Sequence, residues 1–207
     1  MHARAVFPRR ISRLVAHLRD MLPPRASVLD IGAGNGLLAR RLMDEQPGLV
    51  VRGVDVLVRS HTEIPVESFD GVHLPAGDRS VDYTMFIDVL HHVDEPAALV
   101  AEAVRVSRRG LLIKDHVARG PSDRAVLRLM DWVGNAGHGV RLPYRYLSRG
   151  AWDDLLRGAG LREEYWTSRL RLYPFPASLI FDRTLHFVGR FAPTRNDGEA
   201  TPARNGV

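Results

Sequence analysis

The stretch Val28-Leu29-Asp30-Ile31-Gly32-Ala33-Gly34-Asn35-Gly36 joins an apolar run carrying one acid to three glycines at alternate positions, and Leu37-Leu38 then open a helical pattern. Glycine is needed where a chain turns sharply and where backbone must approach a ligand with no side chain between. In an open parallel sheet the first strand-to-helix turn lies at the crevice where nucleotides bind, beside a helix N-terminus. The stretch therefore reads as a strand over 27–31, a tight turn over 32–36 and a nucleotide cradle.

Outward from this turn, strands and helices alternate, the pattern of a parallel sheet with helices on both faces. A helix runs from Leu37 to Met43 and stops before Pro47-Gly48, and a second strand, Val50 to Val54, closes on Asp55. Strands follow at Val66–Phe69, Val81–Ile87 and Gly110–Lys114, with a helix from Asp94 to Val106 that takes Asp94 as its cap and Pro96 in its first turn. Ser122 to Val133 is helical, offering Val126, Leu127, Leu129, Met130 and Val133 for packing. The glycine- and tyrosine-containing segment Gly134–Leu147 is an ordered loop over the site. Ser148 caps a helix through Ala159, stopped by Gly160, and the last two strands are Leu161–Leu172 and Leu179–Phe191, the second partly helical. From Pro193 onward the residues are small and polar, and a disordered tail is expected. The division is an N-terminal helical segment (1–26), one catalytic domain (27–192) with an insertion at about 121–148, and a tail (193–207).

A chain of 207 residues with 45% hydrophobic content suffices for one buried core. The absence of cysteine excludes disulfides, thiolate zinc sites and cysteine nucleophiles, and no metal site is expected. Neither a secretory leader nor an apolar run of about 18 residues is present, so a cytoplasmic location is expected. The charge of +5 and pI near 10.2 favour anionic partners, but the arginines are scattered. They are densest between Arg4 and Arg19, where Ile11, Leu14, Val15, Leu18 and Leu22 recur at helical spacing and Arg10, Arg13, His17 and Arg19 take other faces. That is a helix packed on the domain with a solvated basic side; peripheral membrane or nucleic-acid contact is the alternative.

Spacing narrows the nucleotide. The dinucleotide fingerprint needs a glycine three residues after Gly34, where Leu37 stands, and a phosphate-gripping loop needs lysine and a hydroxyl after Gly36. An adenosine ligand without phosphates but with a free amino acid end would use Asp30 to attract its ammonium, while Asp55 accepts hydrogen bonds from ribose hydroxyls.

Val28 to Gly36, then Gly53-Val54-Asp55, Leu74-Pro75 with Asp78-Arg79-Ser80-Val81-Asp82, and Val89-Leu90-His91-His92-Val93 resemble, in order, the motifs of class I methyltransferases, most closely the type 11 group. The resemblance spans Ser27 to about His116. It implies an α/β fold with a Rossmann-like, seven-stranded, mostly parallel sheet whose final antiparallel strand lies near the edge, and S-adenosyl-L-methionine as cofactor. Carried over to matching positions, it implies a cofactor site of Asp30, Gly32, Ala33, Gly34, Gly36, Asp55 and Val56, with Asp70 and Gly71 at the adenine and Asp88 at the methionine end. The loop between Asp55 and Asp70 is short and holds Pro65, a departure that bears on the adenine contacts.

Methyl transfer is an in-line displacement, so a base is needed only where the acceptor must lose a proton. His91 and His92 follow the fourth strand and His116 the fifth, at the strand ends that face the crevice; His116 leads as candidate base because Asp115 makes its surroundings polar, with His91 next. In the covering loop, His138, Tyr144 and Tyr146, with Arg141 and Arg145, are the candidates for acceptor selection. Tyr173, Phe175 and Phe181 read as core or edge packing. The expected function is methylation of an oxygen, nitrogen or carbon of a small molecule. A transfer-RNA or other nucleic-acid methyltransferase is the alternative, and a non-catalytic cofactor-binding partner protein ranks third.

Overall fold

The computed structural model describes residues 3–135, 143–182 and 184–194. Seven strands, β1 (Ser27–Ile31), β2 (Val50–Asp55), β3 (Val66–Ser68), β4 (Val81–Ile87), β5 (Ser107–His116), β6 (Leu161–Thr167) and β7 (His186–Pro193), form one sheet in the order β3-β2-β1-β4-β5-β7-β6. β7 alone is reversed, pairing antiparallel with both β5 and β6. The helices are α1 (Ala3–Arg19), α2 (Leu37–Glu45), α3 (Pro96–Val106), α4 (Pro121–Asn135), α5 (Arg149–Gly158) and the short α6 (Ser178–Phe181). This is the expected seven-stranded, mostly parallel α/β architecture.

The two faces of the sheet follow from side-chain alternation along its strands. Leu29 and Ile31 of β1 point to one face, where they pack with Leu99, Val100 and Ala103 of α3 and Trp152 and Leu156 of α5. Val28 points to the other, among Leu14, Val15 and Leu18 of α1 and Ala39 and Leu42 of α2. The apolar stripe read in the N-terminal segment thus belongs to the same core as the sheet. Asp30 shares the parity of Val28, so its carboxyl is directed toward the α1 and α2 side.

Several boundaries differ from those expected. β5 begins at Ser107, before Gly110, whose positive φ of 143° and lack of a Cβ admit the close approach of the Phe191 carbonyl. α3 begins at Pro96 with Glu95 rather than Asp94 in the cap position, and no side chain caps it. Ser148 does cap α5, its Oγ accepting from the Ala151 N–H at 3.2 Å. β6 ends at Thr167, and Ser178–Phe181 is helical before β7 begins at His186. In α4, Leu129 and Val133 do not pack but are exposed with Trp132; the buried side carries Asp123, Leu127 and Asp131. Two acids on the inner side of an amphipathic helix conceal which of its apolar residues face inward. No helix among the described residues is long and apolar enough to cross a membrane.

Candidate active site

A cavity of about 380 Å³ opens at the carboxyl ends of β1 and β4. The glycine turn (Asp30, Gly32, Ala33, Gly34, Asn35) forms one side, and Asp88, His91, His92 and His116 another. Arg10 and Ile11 of α1, Met130 and Asp131 of α4, and Tyr173 complete the wall.

The turn is held by backbone. The Gly32 and Ala33 N–H groups donate to the Val54 carbonyl at 2.8 and 3.2 Å, and the Gly34 N–H donates to Asp55 Oδ2 at 2.8 Å. Gly32 has φ 76°, and a Cβ there would stand 2.6 Å from Val89 Cγ2. Gly34 differs: at φ 61° it has nothing within 4 Å of where a Cβ would lie. The space over Gly34 is open. Asp30 is 3% exposed, and its Oδ1 has no hydrogen-bond partner among the described residues. Burial, with the Asp55 charge behind it, pushes the Asp30 carboxyl up to about 7. An orphaned buried carboxylate beside an open glycine backbone fits a ligand with an ammonium group, so these residues suit the amino acid end of S-adenosylmethionine.

The other cofactor candidates lie outside the cavity wall. Asp55 accepts from Gly34 through one oxygen and from the Leu57 N–H at 2.9 Å through the other, so it shapes the loop whether or not a ribose is present. Gly36, at φ 74°, makes room for Ile64. Asp70 is exposed; its Oδ1 accepts from the Val72 and His73 N–H groups at 2.7 and 2.6 Å, and its Oδ2 lies 2.8 Å from His73 Nδ1. These bonds to His73 and Val72 hold its carboxyl down at about 2. Val56, largely exposed, comes within 3.3 Å of where a Gly71 Cβ would stand, so the end of β2 and the Asp70 turn meet at one edge.

Across the cavity lies a buried polar network. His91 Nδ1 is 2.6 Å from Asp115 Oδ1, and the other Asp115 oxygen accepts from the Leu90 N–H at 3.0 Å. His91 Nε2 has no hydrogen-bond partner among the described residues and stands 3.6 Å from Asp131 Oδ2. Burial opposes the charged form of His91, but Asp115, Asp131 and Asp88 outweigh it and raise its pKa. His116 Nδ1 is 3.3 Å from His91 Nδ1; burial and that neighbour lower its pKa. Burial, reinforced by the His91 charge, brings His92 down to about 4. The Trp152 indole N–H donates to the His116 carbonyl at 2.9 Å, tying the end of β5 to α5.

Asp88 faces two cations. It is paired with the fully buried Lys114 ammonium, and its other oxygen accepts from Arg10 Nη2 at 2.5 Å. Despite burial, these cations hold its carboxyl well below the usual range.

Of the expected residues, the cavity gathers Asp30, Gly32, Ala33, Gly34, Asp88, His91, His92 and His116. Tyr146 is buried behind this wall, donating to Asp131 Oδ2 at 2.5 Å, and Tyr144 packs 6.5 Å from it. Arg145 donates to the Asp94 carbonyl at 2.7 Å. His138 and Arg141 lie outside the described residues. Tyr173 packs against the core and against Phe181 at 5.4 Å, as expected, and also lines the cavity, whereas Phe175 is exposed rather than packed. The sequence reading missed Arg10, Lys114, Asp131 and His186. The polar run Lys114-Asp115-His116 at a strand end is the available signal for Lys114; Arg10, expected on a solvated helix side, instead pairs with Asp88.

A family model described as a methyltransferase domain matches residues 2–164. The chain is 29% identical over 170 residues to the 27-O-demethylrifamycin SV methyltransferase of Amycolatopsis mediterranei (strain S699), covering 74% of this chain. It spans 61% of that relative's length. Among solved structures, an S-adenosylmethionine-dependent methyltransferase from Mesorhizobium loti matches with a TM-score of 0.62 at 20% identity, covering 86% of this chain and 96% of that one. The Burkholderia thailandensis 1,6-didemethyltoxoflavin-N1-methyltransferase, solved with 1,6-didemethyltoxoflavin and S-adenosylhomocysteine, matches with a TM-score of 0.61 at 23% identity, covering 88% and 77%.

Proposed function

Because this chain belongs to the methyltransferase-domain family, we propose that it is an S-adenosylmethionine-dependent methyltransferase whose acceptor is a small molecule received in the cavity. The observation that carries this reading is the orphaned, buried Asp30 Oδ1 facing the open backbone at Gly34. When bound, S-adenosylmethionine supplies a methyl group on a sulfonium sulfur, which passes in line to the acceptor atom as the carbon–sulfur bond breaks and S-adenosylhomocysteine is left.

The chain's residues divide the remaining work. Asp30 takes the ammonium, and the Gly32–Gly34 backbone lies against the ligand with no side chain between. Asp55 has a free lone pair on each oxygen after its two backbone bonds, enough to accept from ribose hydroxyls. Val56, Asp70 and Gly71 receive the adenine at the edge of β2. Asp88, fixed between Arg10 and Lys114, bounds the methionine end. The acceptor lies toward His91 and His116, where its proton leaves if it has one. The insertion at about 121–148 supplies Asp131 and the Tyr144 and Tyr146 support behind it as the acceptor cap. The two relatives with named acceptors methylate small molecules, which supports the same class here.

Titration calorimetry with S-adenosylmethionine and S-adenosylhomocysteine, run beside Asp55→Ala, tests this reading. Micromolar binding that the variant loses upholds it. Wild-type protein that binds neither ligand overturns it.

A further inference from the structure

The cavity wall brings two imidazoles and a carboxylate together. One ligating atom each from His91, His116 and Asp131 lies within 4.8 Å of the other two, and all three residues are buried. His91 Nε2 and Asp131 Oδ2 stand 3.6 Å apart, close to the roughly 3.4 Å edge of a tetrahedron built on metal bonds of about 2.1 Å. We propose that these three residues bind one divalent transition-metal ion, which leaves an open coordination position toward the cavity for an oxygen or nitrogen of the acceptor. The role of the open position rests on the proposed methyltransferase function; the ion site rests on the side chains alone.

Three observations carry it. First, His91 is held through Nδ1 by Asp115 at 2.6 Å, which leaves Nε2 as the outward nitrogen of an imidazole oriented by a carboxylate. Metal-binding histidines are commonly supported in this way. Second, that Nε2 is buried with no hydrogen-bond partner among the described residues, a cost that a ligand there would remove. Third, Asp131 Oδ2 is itself steadied by the Tyr146 hydroxyl at 2.5 Å, a second supporting contact behind a ligand. Two imidazoles with one carboxylate select zinc, iron, cobalt or nickel over magnesium or calcium, which prefer oxygen donors.

A neighbouring group, Asp88, His116 and His186, meets the same distance limit but fails electrostatically. Its carboxylate is already paired with Lys114 and Arg10, and the Lys114 ammonium stands 3.3 Å from His186 Nδ1. A cation there would meet two fixed positive charges. The ion therefore belongs to the His91 side. No local ligand motif announces it, because His91 and His116 are 25 positions apart and Asp131 lies on a different helix.

Metal-stripped, tag-free full chain titrated with Co²⁺ and followed by visible absorption tests the site, with S-adenosylhomocysteine binding and thermal unfolding recorded on every sample. The expected result is one equivalent of Co²⁺ giving ligand-field bands, displaced by Zn²⁺ and absent in His91→Ala. Asp131→Asn, nearly isosteric, should bind Co²⁺ at least tenfold more weakly while unfolding like the wild type, and Tyr146→Phe about tenfold more weakly by loss of support. Wild-type protein that binds S-adenosylhomocysteine but gives no ligand-field bands, or binds Co²⁺ no more tightly than a folded Asp131→Asn, overturns the metal site and leaves the proposed function standing. Protein that binds Co²⁺ through these residues but no cofactor upholds the site and overturns that function.

Discussion

Arg10 Nη2 lies 2.5 Å from Asp88 Oδ2, a contact that spans 78 positions and joins the N-terminal helix to the end of β4. It closes one side of the cavity with a charge pair whose acid also neutralises Lys114. The two cations are unequal. The Arg10 side chain is 30% exposed, whereas Lys114 is completely buried.

Asp88→Ala should therefore be costly in proportion to the buried partner. Leaving Lys114 uncompensated is expected to cost about 3–5 kcal/mol, a fall in Tm of roughly 10 °C for a chain of this size. Adding Lys114→Met should restore most of the loss, while Arg10→Ala alone should cost no more than about 1–2 kcal/mol. Differential scanning calorimetry of the four proteins decides it; a double variant less stable than Asp88→Ala refutes the pairing as the cause.

Cofactor affinity should depend on pH through Asp30. Its carboxyl titrates near 7 in the unliganded protein, and an ammonium pairs only with the ionised form. Affinity is expected to fall about tenfold per unit below pH 7 and to level off above it. Stability has the opposite sign: the folded value lies above the ordinary 3.8, so the contribution of Asp30 to unliganded stability is complete below about pH 4 and is lost as pH rises through 7. Calorimetric titration between pH 5.5 and 8.5 reads the first effect, and a slope that persists in Asp30→Asn would assign it elsewhere.

The two glycines at the turn should separate stability from binding. Gly32→Ala places a methyl against Val89 and should destabilise by more than the roughly 1–2 kcal/mol of the left-handed backbone alone. Gly34→Ala meets nothing in the protein, so it should cost only that backbone strain yet lose S-adenosylhomocysteine binding by more than tenfold. Denaturant unfolding with calorimetry on both variants checks this; normal binding by Gly34→Ala would remove the turn from the ligand site.

Asp70 serves its own turn through Val72 and His73, and that role predicts little for binding. If it also meets the adenine, Asp70→Ala should weaken S-adenosylhomocysteine about tenfold while leaving the unfolding midpoint close to that of the wild type. Competition between S-adenosylhomocysteine and its inosine analogue, compared in wild type and variant, isolates the adenine contact: equal losses for both ligands would mean that only the turn has been disturbed.

The sequence carried the sheet and the glycine turn because both write themselves in local order: apolar alternation for strands, glycines where φ must be positive, acids at strand ends. Asp30, at the end of β1 beside the glycines, is legible for that reason, whereas Asp88 is reached only through the resemblance to the methyltransferase motifs. Arg10 is not legible, because helical periodicity identifies the buried stripe and says nothing about how far a long side chain on its border reaches. Asp131 was hidden similarly: a carboxylate on the inner side of α4 looks like a solvated position until Tyr146 and His91 arrive from elsewhere in the chain. His186 fell inside a strand expected to begin at Leu179, and the helical turn at Ser178–Phe181 moved that strand's start to the histidine itself.

The reversal of β7 has a practical consequence for handling the protein. Because β7 runs against its neighbours, it starts at the cavity end, with His186 opposite His116, and finishes with Phe191 opposite Leu111 near the start of β5. The described chain thus leaves the sheet at Pro193 on the end remote from the cavity, whereas α1 brings Arg10 to the cavity wall. A surface anchor or fluorescent fusion joined on the carboxyl-terminal side of β7 therefore follows a strand end remote from the cavity, whereas one joined on the amino-terminal side precedes the helix that carries the wall residues Arg10 and Ile11. Immobilised formats and reporter fusions should be built from the carboxyl-terminal side.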